Sequence, residues 1–232
     1  MPRIARIAPK GHAYHVLTRG NKRQYVFKED HNYERYLDLL WRYKQEYDFR
    51  LYHYVLMGNH VHLVLETTEQ GGSLADIMKG LNLSYAQYYK SRYSHVGHFW
   101  QDRYKSIIIS KDNYLLACGS YVELNPVRAK IVKDPKEYRW SSYNVYAYGK
   151  KNPLVEEHPI YLQLSEDEAE RRKEYREFVI GMITDKDAMR GEMRMRTVYG
   201  GEDFIAKMRE QFNIDPLIRP RGRPKKEKMD GK

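Results

Sequence analysis

The hydrophobic positions of this chain switch between a period of two and a period near 3.6, and the switches mark out its elements. His12 to Thr18 (HAYHVLT) reads as a first strand, followed by a basic loop, Arg19-Gly20-Asn21-Lys22-Arg23. From Asp30 to Tyr47, the positions Tyr33, Tyr36, Leu37, Leu40, Trp41, Lys44 and Tyr47 recur at helical spacing, which predicts an amphipathic helix with an aromatic inner face. Phe49 to Met57 and His60 to Glu66 are short apolar runs joined at Gly58-Asn59, a hairpin pattern. Ser73 is placed to cap a second helix running to about Arg92, with Leu74, Ile77, Met78, Leu81 and Tyr85 on one side.

An aromatic and basic loop then leads into a β-branched strand at Ile107-Ile108-Ile109. A third helix is expected from Asp112 to about Leu124, stopped by Pro126. Beyond the aromatic-rich stretch Lys136 to Tyr148, Pro153 and the Glu156-Glu157-His158-Pro159 run read as a domain margin. Glu166 to Ile183 forms a further amphipathic pattern with Tyr175, Phe178, Val179, Met182 and Ile183 on one face, and a short helix follows from Glu202 to Phe212. Strand, helix, hairpin, helix, strand, helix predicts an α+β fold: a mainly antiparallel sheet of four to five strands with helices packed on it. The organisation expected is a domain at 1–150, a helical region at 151–216 and a basic tail at 217–232.

Charge narrows the partner. The net charge is +10 and the pI near 9.4, which favours a polyanion, most simply nucleic acid. The 22 Tyr against 6 Phe suit a surface on which rings stack on bases, although many must belong to the core. Cys118 is the sole cysteine, which excludes an intrachain disulfide and a cysteine zinc site and points to a reducing compartment. No apolar run approaches membrane-spanning length, and MPRIARIAPKGHAYHV lacks the apolar stretch of a secretory leader, so a cytoplasmic protein is expected.

Candidate chemistry starts at His60-Val61-His62. Strand alternation sends His60 and His62 to one face, where two imidazoles can converge on one divalent ion. Within YVELNPV, Tyr121 and Asn125 are four apart and project together if helical geometry persists up to the proline. Two imidazoles, an amide oxygen, open metal positions and a phenol suit phosphodiester transesterification. A free phenol has a pKa of about 10, so its attack needs help from a metal, a cation or a proton acceptor. A phosphotyrosine conserves the bond energy, consistent with the lack of a GxxxxGK[ST] loop.

Five ordered stretches resemble the REP-associated tyrosine transposases, bacterial members of the single-tyrosine HUH (His-hydrophobe-His) family. They are YHVLTRGNKR (Tyr14 to Arg23), YVLMGNHVHLVL (Tyr54 to Leu65), HFWQDRYKSIII (His98 to Ile109), YVELNPVRA (Tyr121 to Ala129) and YRWSSY (Tyr138 to Tyr143). The resemblance covers roughly the first 150 residues. It implies a ferredoxin-like HUH domain and a strand transferase that uses Mg²⁺ or Mn²⁺ on single-stranded or hairpin DNA, leaving a 5′-phosphotyrosine and a free 3′-hydroxyl. By position it makes His60 and His62 metal ligands and Tyr121 the nucleophile. Asn125 falls where the wider family places a polar ligand, often Gln. Glu123 stands where many relatives have His and points away from Tyr121 on a regular helix, so no catalytic role is assigned to it.

The plainer readings are a core tyrosine at 121, a helix stop at Asn125-Pro126, and structural or surface roles for His12, His15, His95 and His98. Arg19, Lys22, Arg23, Arg103 and Lys105 are candidate phosphate contacts, against a merely solvated loop. In the tail, Pro220-Arg221-Gly222-Arg223-Pro224 resembles an AT-hook core. Arg221, Gly222 and Arg223 would enter an A·T-rich minor groove, with Lys225 and Lys226 adding phosphate attraction. The alternative function is a DNA-binding regulatory protein that keeps the fold with little catalysis. A replication or plasmid-transfer HUH nickase fits the WSSY and NPV motifs less well. A monomer or a homodimer is expected.

Overall fold

The computed structural model describes residues 7–184 and 196–217. Five strands form one sheet in the order β2-β3-β1-β4-β5. They are β1 (Ala13–Arg19), β2 (Phe49–Met57), β3 (His60–Thr67), β4 (Lys105–Ile109) and β5 (Val198–Tyr199). All pairings are antiparallel except β4 with β5, which is parallel. This is the predicted α+β architecture. The two-residue β5, contributed from far along the chain, has too little pattern to be read from sequence.

Helix boundaries follow the periodicity closely. The helix α1 (Asp30–Tyr47) starts with a reciprocal cap between Glu29 and Asn32, and α2 (Leu74–Tyr93) starts at Ser73, whose hydroxyl accepts from the Asp76 amide. The helix α3 (Asn113–Glu123) is capped by Asp112. Pro126 does not end the helical path. Leu124 keeps right-handed helical angles and a further turn, α4 (Asn125–Arg128), carries Pro126 in its first turn, where a missing N–H costs nothing. Among the described residues four more α-helices follow: α5 (Tyr143–Tyr148), α6 (Pro159–Leu162), α7 (Glu168–Thr184) and α8 (Glu202–Phe212).

Much of the tyrosine excess is core. Tyr14, Tyr36, Tyr85, Tyr146, Tyr161 and Tyr175 are among the largest fully buried side chains. Burial of a phenol favours a hydroxyl partner, which Tyr36 lacks among the described residues. Tyr85 donates to the Val26 carbonyl at 2.7 Å, Tyr146 to that of Tyr52 at 2.9 Å, and Tyr161 to that of Tyr146 at 2.8 Å.

The YRWSSY stretch covers the outer edge of β2. The Leu56 amide donates to the Trp140 carbonyl at 2.9 Å and the Ser142 amide to the Tyr54 carbonyl at 3.0 Å, so that edge is not left unpaired. The Pro153–Pro159 stretch also returns to β2: the Glu156 amide donates to the Leu51 carbonyl and His158 is fully buried. A second apolar cluster joins Leu116 and Leu124 to Tyr143, Tyr146, Tyr161, Tyr175 and Val179. Through it α7 packs against α3 and α5.

Candidate active site

The antiparallel register assembles one polar face. Arg19 pairs with His60, Leu17 with His62 and His15 with Val64, while Val55 and His53 of β2 sit opposite His62 and Val64. By alternation His15, Arg19, His53, His60 and His62 therefore share a face. The helix α3 lies across it, against β2, β3 and β4. The Tyr121 ring comes to rest edge-on to His62 and His15, with centroids 6.4 and 6.2 Å away, and the His60 and His62 rings are 5.1 Å apart.

Two further residues complete this arrangement, His15, read from sequence as structural or surface, and Arg128, not singled out there. His15 is buried, stacks on His62 and meets its Nδ1 through Nε2 at 2.7 Å. Arg128, two residues past the proline, places its guanidinium over the Tyr121 ring at 4.6 Å and donates to the Tyr121 carbonyl at 2.7 Å. A histidine at alternate spacing in β1 was the available signal for the first. The second was hidden because the helix was expected to stop before it.

The three imidazoles are held neutral. Burial, with Arg19 next, pushes His60 down to about 4. Burial pushes His15 to about 4 as well, and His62 falls well below the usual range through burial, then His15, His60, Arg19 and Arg128.

The donor set fits a metal in one specific respect. His60 Nδ1 meets Asn59 Oδ1 at 2.5 Å, and His62 Nδ1 meets His15 Nε2. With both histidines donating from Nδ1, both Nε2 lone pairs are left for a ligand, and the rings are oriented by their neighbours. Asn125 uses its side-chain NH₂ on the Tyr121 and Val122 carbonyls at 2.9 and 3.1 Å, which leaves its Oδ1 as the atom able to ligate. Among the described residues no group of three or more His, Cys, Asp or Glu side chains is arranged for a metal.

The chain matches the family model described as "Transposase IS200 like" over residues 9–125, half of its length. The chain belongs to the IS200-like transposase family. Its match ends at Asn125 and so includes His15, His60, His62 and Tyr121. Among solved structures, a REP-associated tyrosine transposase bound to a REP hairpin superposes with a TM-score of 0.55 at 16% identity, covering 69% of this chain and 93% of the other. That likeness establishes the shared fold. A transposase-like protein from Deinococcus radiodurans R1 gives a TM-score of 0.37 at 20% identity, over 56% of this chain and 92% of its own, too loose to bear on the fold. No curated protein matches significantly.

The candidate phosphate-binding residues gather at one end of the sheet. The Gly20 amide donates to the Asn59 carbonyl at 2.9 Å, Asn21 to Phe99 at 2.8 Å and Gln101 to Arg19 at 2.9 Å, so the basic loop, the hairpin turn and the 98–103 loop form one surface beside His60. Lys22, Arg23, Arg103 and Lys105 are exposed on it, and Arg19 is half-buried next to His60. Tyr25, overlooked in the sequence, stands 68% exposed between the basic loop and the turn at Gly58. Arg221, Gly222, Arg223, Lys225 and Lys226 lie outside the described residues. Among the described residues no helix is long and apolar enough to cross a membrane.

Proposed function

We propose that this IS200-like transposase cleaves and rejoins single-stranded or hairpin DNA through a covalent 5′-phosphotyrosine on Tyr121. The observation carrying this reading is the Tyr121 ring, set 6.4 Å from that of His62 within one chain. In the reaction the Tyr121 phenol oxygen bonds to phosphorus, the bond from phosphorus to the 3′-oxygen breaks, and that oxygen leaves with a proton as the 3′-hydroxyl. Reversal with a different 3′-hydroxyl transfers the strand without ATP. Arg128 supplies positive charge beside the group that turns anionic as it attacks. His60 and His62 through Nε2 and Asn125 through Oδ1 would hold Mg²⁺ or Mn²⁺, which when bound supplies charge stabilisation at the scissile phosphate.

His15 and Asn59 keep the His62 and His60 rings in their orientation. Lys22, Arg23, Arg103 and Lys105 take backbone phosphates, and Tyr25 offers a face on which an unpaired base stacks. The tail residues Arg221 to Lys226 extend the contact into an A·T-rich minor groove. The solved relative bound to a REP hairpin supports a folded palindromic substrate.

The test incubates the protein with labelled hairpin DNA and Mg²⁺ or Mn²⁺. A denaturation-resistant adduct is expected, lost in Tyr121→Phe and with EDTA. Tight hairpin binding by the wild type with no adduct would overturn the enzyme reading in favour of a DNA-binding regulator.

A further inference from the structure

Glu123 is fully buried, two residues beyond Tyr121 on α3, and its carboxylate holds three donors from three separate elements. His53 Nδ1 of β2 reaches Oε1 at 2.9 Å, the Ser142 hydroxyl before α5 reaches Oε1 at 2.6 Å, and the Tyr175 hydroxyl of α7 reaches Oε2 at 2.6 Å. His53, Ser142 and Tyr175 are themselves fully buried. Gly119 brings α3 close enough that a Cβ there would lie 2.3 Å from His53 Nε2. Two residues along an α-helix are about 200° apart, so the side chains of Tyr121 and Glu123 leave α3 on opposite flanks.

We infer that Glu123 is a positioning residue for Tyr121, and that α7 is thereby part of the catalytic unit. Pinning one flank of a helix fixes its roll about its own axis. Side-chain tips lie about 5–6 Å from that axis, so a roll of about 10° displaces them by roughly 1 Å. A displacement of that size at a nucleophile can cost on the order of a hundredfold in rate. The inference rests on Tyr121 being the nucleophile. It goes further in giving α7 a role in the chemistry through the Tyr175 bond to Glu123.

The clamp is tested by Tyr175→Phe, which removes a single hydroxyl from Glu123, against Tyr161→Phe. The latter removes the hydroxyl of another buried tyrosine in the same cluster, one bonded to the Tyr146 carbonyl and not to Glu123. In single-turnover adduct formation, Tyr175→Phe is expected to slow the step about tenfold or more with hairpin affinity unchanged. Tyr161→Phe is expected to react at the wild-type rate, and Glu123→Gln to lose at least as much as Tyr175→Phe. Equal rates for Tyr175→Phe and wild type, or equal losses in both phenylalanine variants, would overturn the clamp while leaving Tyr121 as the nucleophile. If wild type forms no adduct, the reading of Tyr121 itself fails. The clamp is then read by amide hydrogen exchange over Asn113–Glu123. Faster exchange in Tyr175→Phe than in Tyr161→Phe supports it, and identical exchange overturns it.

Discussion

The two flanks of α3 are built on opposite terms. On one side Tyr121 is half-buried edge-on to the His62 and His15 imidazoles, with a guanidinium above it. On the other, Glu123 is fully buried and both of its oxygens are occupied. The first flank sets a phenol, an imidazole and a guanidinium side by side, which is what a reaction with an incoming phosphodiester requires. On the second, three buried donors converge on one carboxylate, which is what a fixed mounting requires. A carboxylate held by three donors is tolerated in a core. The same carboxylate without them, or the same donors without it, is not.

Substitutions on the two flanks should therefore separate stability from chemistry. Glu123→Ala strands the three donors of His53, Ser142 and Tyr175 and is expected to lower unfolding free energy by about 3–5 kcal/mol. It would appear as a lower denaturant midpoint with an unchanged slope. Tyr121→Phe is expected to shift that midpoint by less than about 1 kcal/mol while abolishing adduct formation. Comparable stability losses in the two variants would erase the distinction.

The helices, the hairpin and the His60-His62 pair were legible because each rests on local periodicity. Tyr121 was singled out by its four-residue spacing from Asn125 together with motif order and resemblance. What could not be read depends on register or on distant partners. His15 matters because antiparallel pairing sets it beside Val64 and so diagonal to His62, and that register is fixed only when β1 meets β3. Glu123 was rightly seen to face away from Tyr121, but its partners at positions 53, 142 and 175 converge only in the folded chain. Pro126 was misread as a stop because helices also tolerate proline in a first turn, and this concealed Arg128. The tyrosine count pointed toward nucleic acid, yet the structure places many of these rings in the core and leaves Tyr25 as the clear exposed ring beside the basic loop.

Smaller effects sharpen the same contrast. Gly119→Ala puts a methyl against the His53 ring and is expected to cost about 1–3 kcal/mol, read by thermal unfolding. Burial, then His53, holds the His158 imidazole well below its usual range, and Tyr52, Tyr146 and Tyr161 also face it. The unfolded chain takes up a proton below about pH 6.5 that the folded chain refuses, so this contribution is present above that pH and lost as pH falls. His158→Asn retains an acceptor for the Tyr161 amide and removes the titration, so Tm should fall less steeply on acidification. An acid limb identical to wild type would contradict this. The smallest expected effect is at the reading surface. Lys22→Ala and Arg103→Ala should each reduce the salt dependence of hairpin binding by about one unit of slope, with the adduct-forming step unaltered.

The central claim is that one of the 22 tyrosines is the nucleophile, selected by its place beside His62. The most direct measurement digests the trapped protein–DNA adduct and maps the DNA-linked peptide by mass. The linkage is predicted on Tyr121 alone. Linkage to any other tyrosine, with Tyr121 recovered unmodified, would contradict the account.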